Sequence, residues 1–344
     1  MSKQLIVEKK QSFFPKNLGK LVLVLGILLI VTTIASIAFG SRSIGWSAIL
    51  DGLFHPDLQD HESLVVRQRI VRTIFSFMCG AALGVSGALM QSVTRNPIAD
   101  PSILGVNTGA SLFVVGGIAF LNISAASEYV WLAIAGALIT AIFVFTIGSL
   151  GYNGATPLKL VLAGAATSAI LSSLVTAIMI PRQNVMDQFR FWQVGSVGAG
   201  TWDSIHLMLP FLIVGVLIAI FAAPALNAMA LGDEVATGLG VKTGVIRLIS
   251  AFAGVLLCGA TTAFAGPIGF IGLLAVHVIR LMIGPDLRFV IPLSALSGGI
   301  ILTIADVCGR VIARPGEVEV GILTAFIGAP ILIYITMKAK MRSL

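Results

Sequence analysis

Charged residues are scarce in this 344-residue sequence, at 11% of the chain, whereas a soluble domain averages roughly 25%. No long hydrophilic block interrupts the apolar runs, so no segment is predicted to fold as a separate soluble domain. Hydrophobic residues make up 57% of the chain, and the mean hydropathy is +1.01. The composition excludes an ordinary soluble protein and predicts an all-α, polytopic membrane protein with one transmembrane domain over residues 1–344.

Cysteine and histidine are also few, and their positions exclude several kinds of site. Neither CxxC nor a Cys/His ligand spacing occurs, so neither a disulfide framework nor a zinc site is supported. The histidines are scattered and suggest no catalytic constellation; the residues concerned are Cys79, Cys258, Cys308, His55, His61, His206 and His277. We therefore predict a protein that is not an enzyme and that uses no metal site or cofactor.

A nucleotide site is not encoded in the sequence. The stretch GLGVKTG (residues 238–244) is similar to a phosphate-binding loop, but that motif requires Gly immediately before the Lys. Val241 occupies this position. Any ATP-driven activity would therefore need a separate subunit.

Apolar runs of about 20 residues, long enough to cross a bilayer as helices, recur along the chain. The first run exceeds the apolar core of a signal peptide, so we expect an uncleaved span. With Gly, Pro and charge clusters taken as the boundaries of the apolar runs, the sequence predicts ten spans. They are residues 18–39, 70–91, 103–121, 129–150, 158–180, 204–227, 244–264, 268–283, 289–312 and 320–337.

The distribution of basic residues predicts the orientation of these spans. An even number of spans puts both termini on one side, and cytoplasmic loops carry an excess of Lys and Arg. With the termini inside, residues 1–17 form a cytoplasmic tail and residues 228–243 a cytoplasmic connection. The inner segments then hold 14 of the 22 basic residues: Lys3, Lys9, Lys10, Lys16, Lys20, Arg95, Lys159, Lys242, Arg247, Arg280, Arg288, Lys338, Lys340 and Arg342.

One inner connection, RNPIADPSILG (residues 95–105), is unusually polar and rich in proline. Its two prolines prevent a regular helix, and its terminal glycine can take conformations that other residues resist. We expect a fixed, non-helical turn here, called the elbow below. Its structural residues are Arg95, Asn96, Pro97, Asp100, Pro101 and Gly105.

The span before the elbow is rich in small residues. In GAALGVSGALM (residues 80–90), Gly80, Gly84 and Gly87 or Ala88 recur at three- to four-residue spacing, which predicts close helix contacts. Two interpretations remain open: tight packing within one bundle, or the lining of a pathway by Gly84, Gly87 and Gln91.

Five motifs follow one another over nearly the whole chain: RIVRTIFSFMCGAALGVSGALMQSVTRNPIADPSILGVNTGAS (69–111), LGDEVATGLGV (231–241), GPIGFIGLLAVHVIR (266–280), ADVCGRVI (305–312) and GEVEVGILTAFIGAP (316–330). Together they resemble the signature of FecCD-type permease subunits of iron-siderophore and vitamin B12 ABC importers. The chain departs from that signature at Val71 and Val276, where the family commonly has Pro. It departs again at residues 317–321, where this chain has EVEVG and the family has ELPVG.

The resemblance implies a type II ABC importer permease fold with ten transmembrane helices, in the bacterial cytoplasmic membrane. It also implies four kinds of partner: a second permease subunit, identical or paralogous, two cytoplasmic ATPase subunits, an extracytoplasmic substrate-binding protein, and an iron(III)-siderophore as substrate. Cobalamin and haem are alternative substrates under the same resemblance, and no nucleic-acid partner is expected.

The rival functional class is an ion-coupled secondary transporter, in which Asp306 and His277 would be the coupling residues. Two structural roles would also account for these ionisable groups: anchoring of a helix end, and an ion pair between Asp306 and Arg310.

The resemblance assigns the ATPase contact to the inner connection near residue 235. Two acids after a glycine suit the first turn of a short helix through its dipole, a later glycine can end it, and three apolar residues would share one face. The alternative is an interfacial amphipathic helix. The residues concerned are Leu231, Gly232, Asp233, Glu234, Val235, Leu239 and Gly240.

At the outer end, the resemblance assigns Arg69, Arg72 and Arg310 to contact with acidic residues of the binding protein. Arg69 and Arg72 are three residues apart and share a helix face. Interfacial snorkelling is the alternative for both, and Arg310 could instead pair with Asp306 one turn earlier.

The resemblance also implies that FRFWQVGSVGAGTWDS (residues 189–204) forms a short helix and loop at the outer mouth of the pathway. Trp192, Gln193 and Ser196 would there meet the incoming chelate. An aromatic belt at the membrane interface is the alternative. NGATPLK (residues 153–159) corresponds to an inner gate, although it lacks an obvious polar pair.

Overall fold

The computed structural model describes residues 17–55, 60–123, 126–151 and 156–342; the expected tail lies outside these ranges apart from Asn17. The described part is helical. Its helices are α1 Leu18–Ala38, α2 Trp46–Phe54, α3 His61–Thr94, α4 Val106–Leu121, α5 Ala126–Ser149, α6 Pro157–Met179, α7 Gln183–Val194, α8 Trp202–Met229, α9 Asp233–Gly238, α10 Thr243–Ala265, α11 Ile271–Ile283, α12 Leu287–Ile312 and α13 Val320–Arg342, with a 3₁₀ turn at Pro101–Leu104.

Each of the ten expected spans coincides with one apolar helix. Seven of these helices are long and apolar enough to cross a membrane: α1, α3, α5, α6, α8, α10 and α12. The other three, α4, α11 and α13, are shorter apolar helices over Val106–Leu121, Ile271–Ile283 and Val320–Ile333. The all-α prediction is confirmed for the described part of the chain. We call the two ends of the bundle inner and outer, after the orientation that the charges predict.

Three further helices lie between the spans. Helices α7 and α9 occupy the outer and inner connections where short helices were expected. Helix α2 was not expected, and α3 begins at His61 rather than near residue 70. It starts early because the carboxylate of Asp60 accepts a hydrogen bond from Ser63 N at 3.1 Å, an N-terminal cap that lets the helix run through a polar stretch.

Helix α3 lies at the centre of the bundle and approaches its neighbours at glycines. A Cβ added at Gly84 would collide with the carbonyl oxygen of Ser294 in α12, and one at Gly80 with that of Gly298. At Gly87 the obstacle is the backbone of Gly272 in α11. These three glycines therefore pack against backbone within one bundle, the first of the two interpretations of this motif.

The elbow connects α3 to α4 and is only partly non-helical. Helix α3 ends at Arg95, whose φ of 50° and ψ of 33° are left-handed. The side chain of Asp100 then accepts a hydrogen bond from Ser102 N at 2.9 Å, which caps the 3₁₀ turn at Pro101–Leu104. The expectation of a wholly non-helical segment is wrong for this turn, because proline is tolerated at a first helical position. Gly105, with φ of 75°, takes the conformation expected of it.

We predict that a single methyl group at Gly84 destabilises the bundle. In Gly84→Ala the new Cβ meets the carbonyl of Ser294, so α3 and α12 must move apart, at a cost of about 1–3 kcal/mol for overpacking. The melting temperature of the purified protein in detergent should fall. Gly116→Ala in α4 is the matched control, because nothing lies within 4 Å of its Cβ position. Equal melting temperatures for Gly84→Ala and the wild type would contradict the close contact.

Candidate functional site

A buried ion-pair network lies at the outer end of α3 and α12. Arg72 Nη2 lies 2.7 Å from Asp306 Oδ1, and Arg310 Nη2 lies 2.9 Å from Asp306 Oδ2. Arg72 also contacts the loop that follows α12: its Nη1 lies 2.7 Å from Oε2 of Glu317. The side chains of Asp306 and Arg310 are each 2% exposed. The network thus joins α3, α12 and the loop at residues 313–319.

Two arginines of this region also contact the end of α1. Arg310 donates to the backbone oxygens of Ser36 and Phe39, at 3.0 and 3.2 Å. Arg69 donates to the backbone oxygens of Ile37 and Ala38, both at 3.0 Å. The last carbonyls of a helix lack intrahelical partners and carry partial negative charge. The guanidinium groups of α3 and α12 therefore cap α1.

The three arginines expected at a docking surface are thus engaged within the chain. Arg69 and Arg310 are buried, at 6% and 2% exposure, and the side chain of Arg72 is 13% exposed. Arg310 makes the pair with Asp306 that the sequence left open as an alternative. Because the Asp306 carboxylate contacts two guanidinium groups, helix-end pairing explains this buried acid without a proton relay.

A cationic cavity of about 320 Å³ opens beside the network, and we call it the arginine pocket. Four arginines line it together with one histidine and one acid: Arg42, Arg69, Arg72, Arg310, His61 and Glu317. Burial opposes ionisation of Glu317, but hydrogen bonds from Arg72 and Ser41 outweigh it and hold its pKa below the ordinary value. Glu317 is therefore an anion at neutral pH, surrounded by an excess of positive charge.

A second and larger outer cavity, about 760 Å³, lies next to the arginine pocket, and we call it the mouth cavity. Trp192 of α7 and Ser196, two of the residues expected at the outer mouth of the pathway, line this cavity. Gln193 is exposed nearby but is not among the lining residues, and Gln91 is buried within the bundle. The acids of the lining are Asp203, Glu317 and Glu319. Arg72 and Glu317 line both cavities, so their ion pair lies between the arginine pocket and the mouth cavity.

One face of α6 is a feature that the sequence reasoning missed. In α6 the hydroxyl residues Ser172, Ser173 and Thr176 are exposed on an apolar helix. Their neighbours one and two turns earlier, Ala165, Ala166 and Ala169, are exposed as well. Small and hydroxyl residues favour contact with another helix over contact with lipid. The run AGAATSAILSS (residues 163–173) carried this signal in the sequence.

At the inner end, α9 projects an apolar face. Leu231, Val235 and Leu239 are exposed, at 69%, 49% and 65%. Gly232 precedes the helix and Gly240 follows it, with φ of 118° and 83°, so both glycines take the positions expected of them. Glu234 is exposed in the first turn, and Asp233 contacts two arginines.

The segment expected to form an inner gate, residues 153–159, lies partly outside the described residues, which omit 152–155. Of the remainder, Thr156 caps α6 by accepting from Lys159 N at 3.4 Å. Within the described ranges, no group of three or more His, Cys, Asp or Glu side chains could hold a metal ion.

The comparisons with known proteins define the class of this protein. The model of the FecCD transport family matches residues 28–338, so the chain belongs to that family. Relatives include the ferric enterobactin transport system permease protein FepD of Escherichia coli K12, 40% identical over 91% of this chain and 93% of the relative. The Fe(3+)-citrate import system permease protein YfmD of Bacillus subtilis 168 is 40% identical over 89% of this chain and 90% of the relative.

The fold comparison agrees with the family. A solved inward-facing structure of a metal-chelate type ABC transporter aligns with a TM-score of 0.80 at 25% identity. The alignment covers 93% of this chain and 99% of that one. The chain is therefore a multi-pass transport permease rather than an enzyme.

We predict that Asp306→Asn strongly destabilises the fold. The substitution leaves two guanidinium groups without their shared anion, and breaking a buried pair costs about 3–5 kcal/mol. The thermal unfolding temperature in detergent measures the loss. Asp187→Asn is the control, because Asp187 and Arg190 form an exposed pair at 3.4 Å, which contributes about 0–1 kcal/mol. Equal effects of the two substitutions would contradict the buried network.

Proposed function

We propose that this protein is the permease subunit of an ABC importer that takes up iron(III)-siderophore complexes. The observation that carries the proposal is the end-to-end similarity to permeases named for ferric enterobactin and Fe(3+)-citrate. A further relative at 37% identity, from Bacillus subtilis 168, is the iron(3+)-hydroxamate import system permease protein FhuB. These names share ferric iron held by an organic chelator.

The chemistry of the outer end is compatible with such a substrate. Iron that is already wrapped by a chelator needs no cage of protein ligands, and the lining of the mouth cavity offers aromatic, hydroxyl and carboxylate groups instead. Its volume of about 760 Å³ lies within the range of roughly 300–1,000 Å³ that small-molecule sites occupy. Trp192 and Ser196 would meet the chelate there, and Gln193 would lie at the rim.

Energy would come from ATP hydrolysis in a separate pair of cytoplasmic subunits. The exposed face of Leu231, Val235 and Leu239 supports this proposal, because three large apolar side chains on and beside the six-residue helix α9 are exposed in the described chain. An apolar helix face of this kind docks into a groove of a partner protein. The segment from Leu231 to Gly240 would thus form the coupling contact.

A second permease subunit would complete the translocation pathway. The exposed small and hydroxyl face of α6 supports this arrangement, because such a surface suits a helix contact or a water-filled path. In the proposed orientation both termini are in the cytoplasm, and the protein lies in the bacterial cytoplasmic membrane. The α9 segment then faces the ATPases, while the arginine pocket faces the binding protein.

Docking of the binding protein would use the charge of the arginine pocket. Arg69 and Arg310 are buried and Arg72 is largely so, so these three would contribute to the positive potential, while Arg42 is the exposed arginine of the lining. An acidic side chain of the binding protein would be attracted by this positive potential. Charge complementarity of this kind mainly sets orientation and association rate.

Uptake of labelled iron by cells tests the proposed function. A strain that lacks the gene should lose accumulation of at least one ferric siderophore and regain it with the wild-type copy. Cobalamin and haem, tested in parallel, should be taken up equally with and without the gene. Loss of cobalamin or haem uptake with unchanged uptake of every iron chelate tested would contradict the siderophore assignment.

The docking proposal predicts a salt-dependent effect of Arg42→Gln. Removing this exposed charge should lower the association rate of the purified binding protein several-fold at low salt, and the difference should shrink at high salt because charge steering is screened. Surface plasmon resonance with the permease complex in nanodiscs measures the rates. Arg182→Gln, outside the arginine pocket, is the control. An unchanged association rate for Arg42→Gln at low salt would remove the pocket from the docking surface.

A further inference from the structure

The elbow contacts the start of α9 through one arginine side chain. Arg95, at the end of α3, extends its side chain across the inner end of the bundle to the start of α9. Its Nη2 donates to the backbone oxygen of Met229 at 2.8 Å and to Asp233 Oδ1 at 2.6 Å. The elbow and the coupling segment, 138 residues apart, are therefore in direct contact.

A second arginine contacts the same carboxylate from another helix. Arg247 of α10 donates from Nη2 to Asp233 Oδ1 and Oδ2, at 3.2 and 3.1 Å. Arg247 is buried, at 8% exposure. Asp233 thus joins the first turn of α9 to α3 and α10 at once, and we call these three residues the Asp233 cluster.

Backbone hydrogen bonds connect α9 to the end of α8, as from Gly232 N to Met229 O at 3.1 Å, whereas the ion pairs of Asp233 connect it to α3 and α10. A helix of six residues is too short to be stable by itself, and Ala236 is its one buried residue. The flanking Gly232 and Gly240 have positive φ, and nothing lies within 4 Å of a Cβ added at either. These two glycines serve the backbone turn rather than packing, and the contacts of Asp233 add a side-chain connection from α9 to two helices of the bundle.

The backbone of Arg95 points to the same conclusion. A left-handed residue at the end of a helix is usually Gly, because other residues meet steric resistance in that conformation. The chain has Arg at this position, with φ of 50°. A glycine at this position would remove the steric resistance to the left-handed conformation, but it would also remove the guanidinium group that contacts Asp233.

We propose that Asp233 is a positioning residue that fixes α9 to α3 and α10, so that movement of the ATPase at α9 is transmitted to the helix bundle. The inference rests on the proposed function, since it requires α9 to contact the ATPase. Helix-dipole stabilisation does not account for the cluster, because Glu234 supplies a second acid in the same turn without an ion pair to either arginine of the cluster.

The test measures coupling in the complete importer, with ATPase and binding protein, reconstituted in liposomes. Arg95→Gln, which lies outside the proposed ATPase contact, should leave the ATPase bound and hydrolysis within about twofold of the wild type, while ferric siderophore transport falls roughly tenfold. The ATP consumed per substrate therefore rises. Asp233→Asn should shift this ratio in the same direction, and Asp233→Glu should retain more of the transport than Asp233→Asn. Arg288→Gln, which removes an exposed inner pair with Asp286 at 2.6 Å, should not change the ratio.

Two outcomes would overturn the inference. An unchanged ratio of ATP to substrate in both Asp233→Asn and Arg95→Gln would show that the cluster does not transmit movement. Loss of ATPase binding in Arg95→Gln, with the permease still folded by thermal unfolding, would show a direct contact residue instead. Failure of the proposed function is distinguishable, because Leu239→Asp would then leave ATPase binding intact. If only the inference fails, Leu239→Asp still abolishes binding.

Discussion

The backbone contact between α3 and α12 is the constraint on which the rest of the structure depends. At Gly80 and Gly84 the two helices approach until no side chain fits between them, and the ion pair of Arg72 with Asp306 joins the same helices at the outer end. The close approach brings the basic and acidic groups of two distant segments together. Without it, the arginine pocket and the capping of α1 would have no fixed geometry.

The two regions proposed to contact partner proteins lie at the two ends of α3. With 34 residues and a rise of 1.5 Å per residue, α3 is about 50 Å long, which is enough to reach from one membrane surface to the other. Its outer end carries Arg69 and Arg72, beside the arginine pocket and the mouth cavity. Its inner end leads into Arg95 and the Asp233 cluster. A protein that receives cargo on one side and energy on the other needs both surfaces on connected helices.

The sequence predicted the spans well because apolar length and periodicity are local properties. It did not predict the extension of α3 to His61, which depends on one capping carboxylate, or the 3₁₀ turn of the elbow. The motifs identified Arg72 and Asp306 as polar positions, but their mutual contact joins residues 234 apart. Likewise, no spacing in the sequence indicates that Arg95 contacts Asp233. Burial and pairing of this kind follow from tertiary packing.

Transport by purified components tests the central claim, that a separate ATPase drives movement of a ferric siderophore through this permease. The account predicts accumulation of labelled siderophore against its gradient in vesicles that contain permease, ATPase, binding protein and ATP. Omission of the ATPase should abolish accumulation, with or without an imposed proton gradient. Accumulation by the permease alone under a proton gradient would contradict the account.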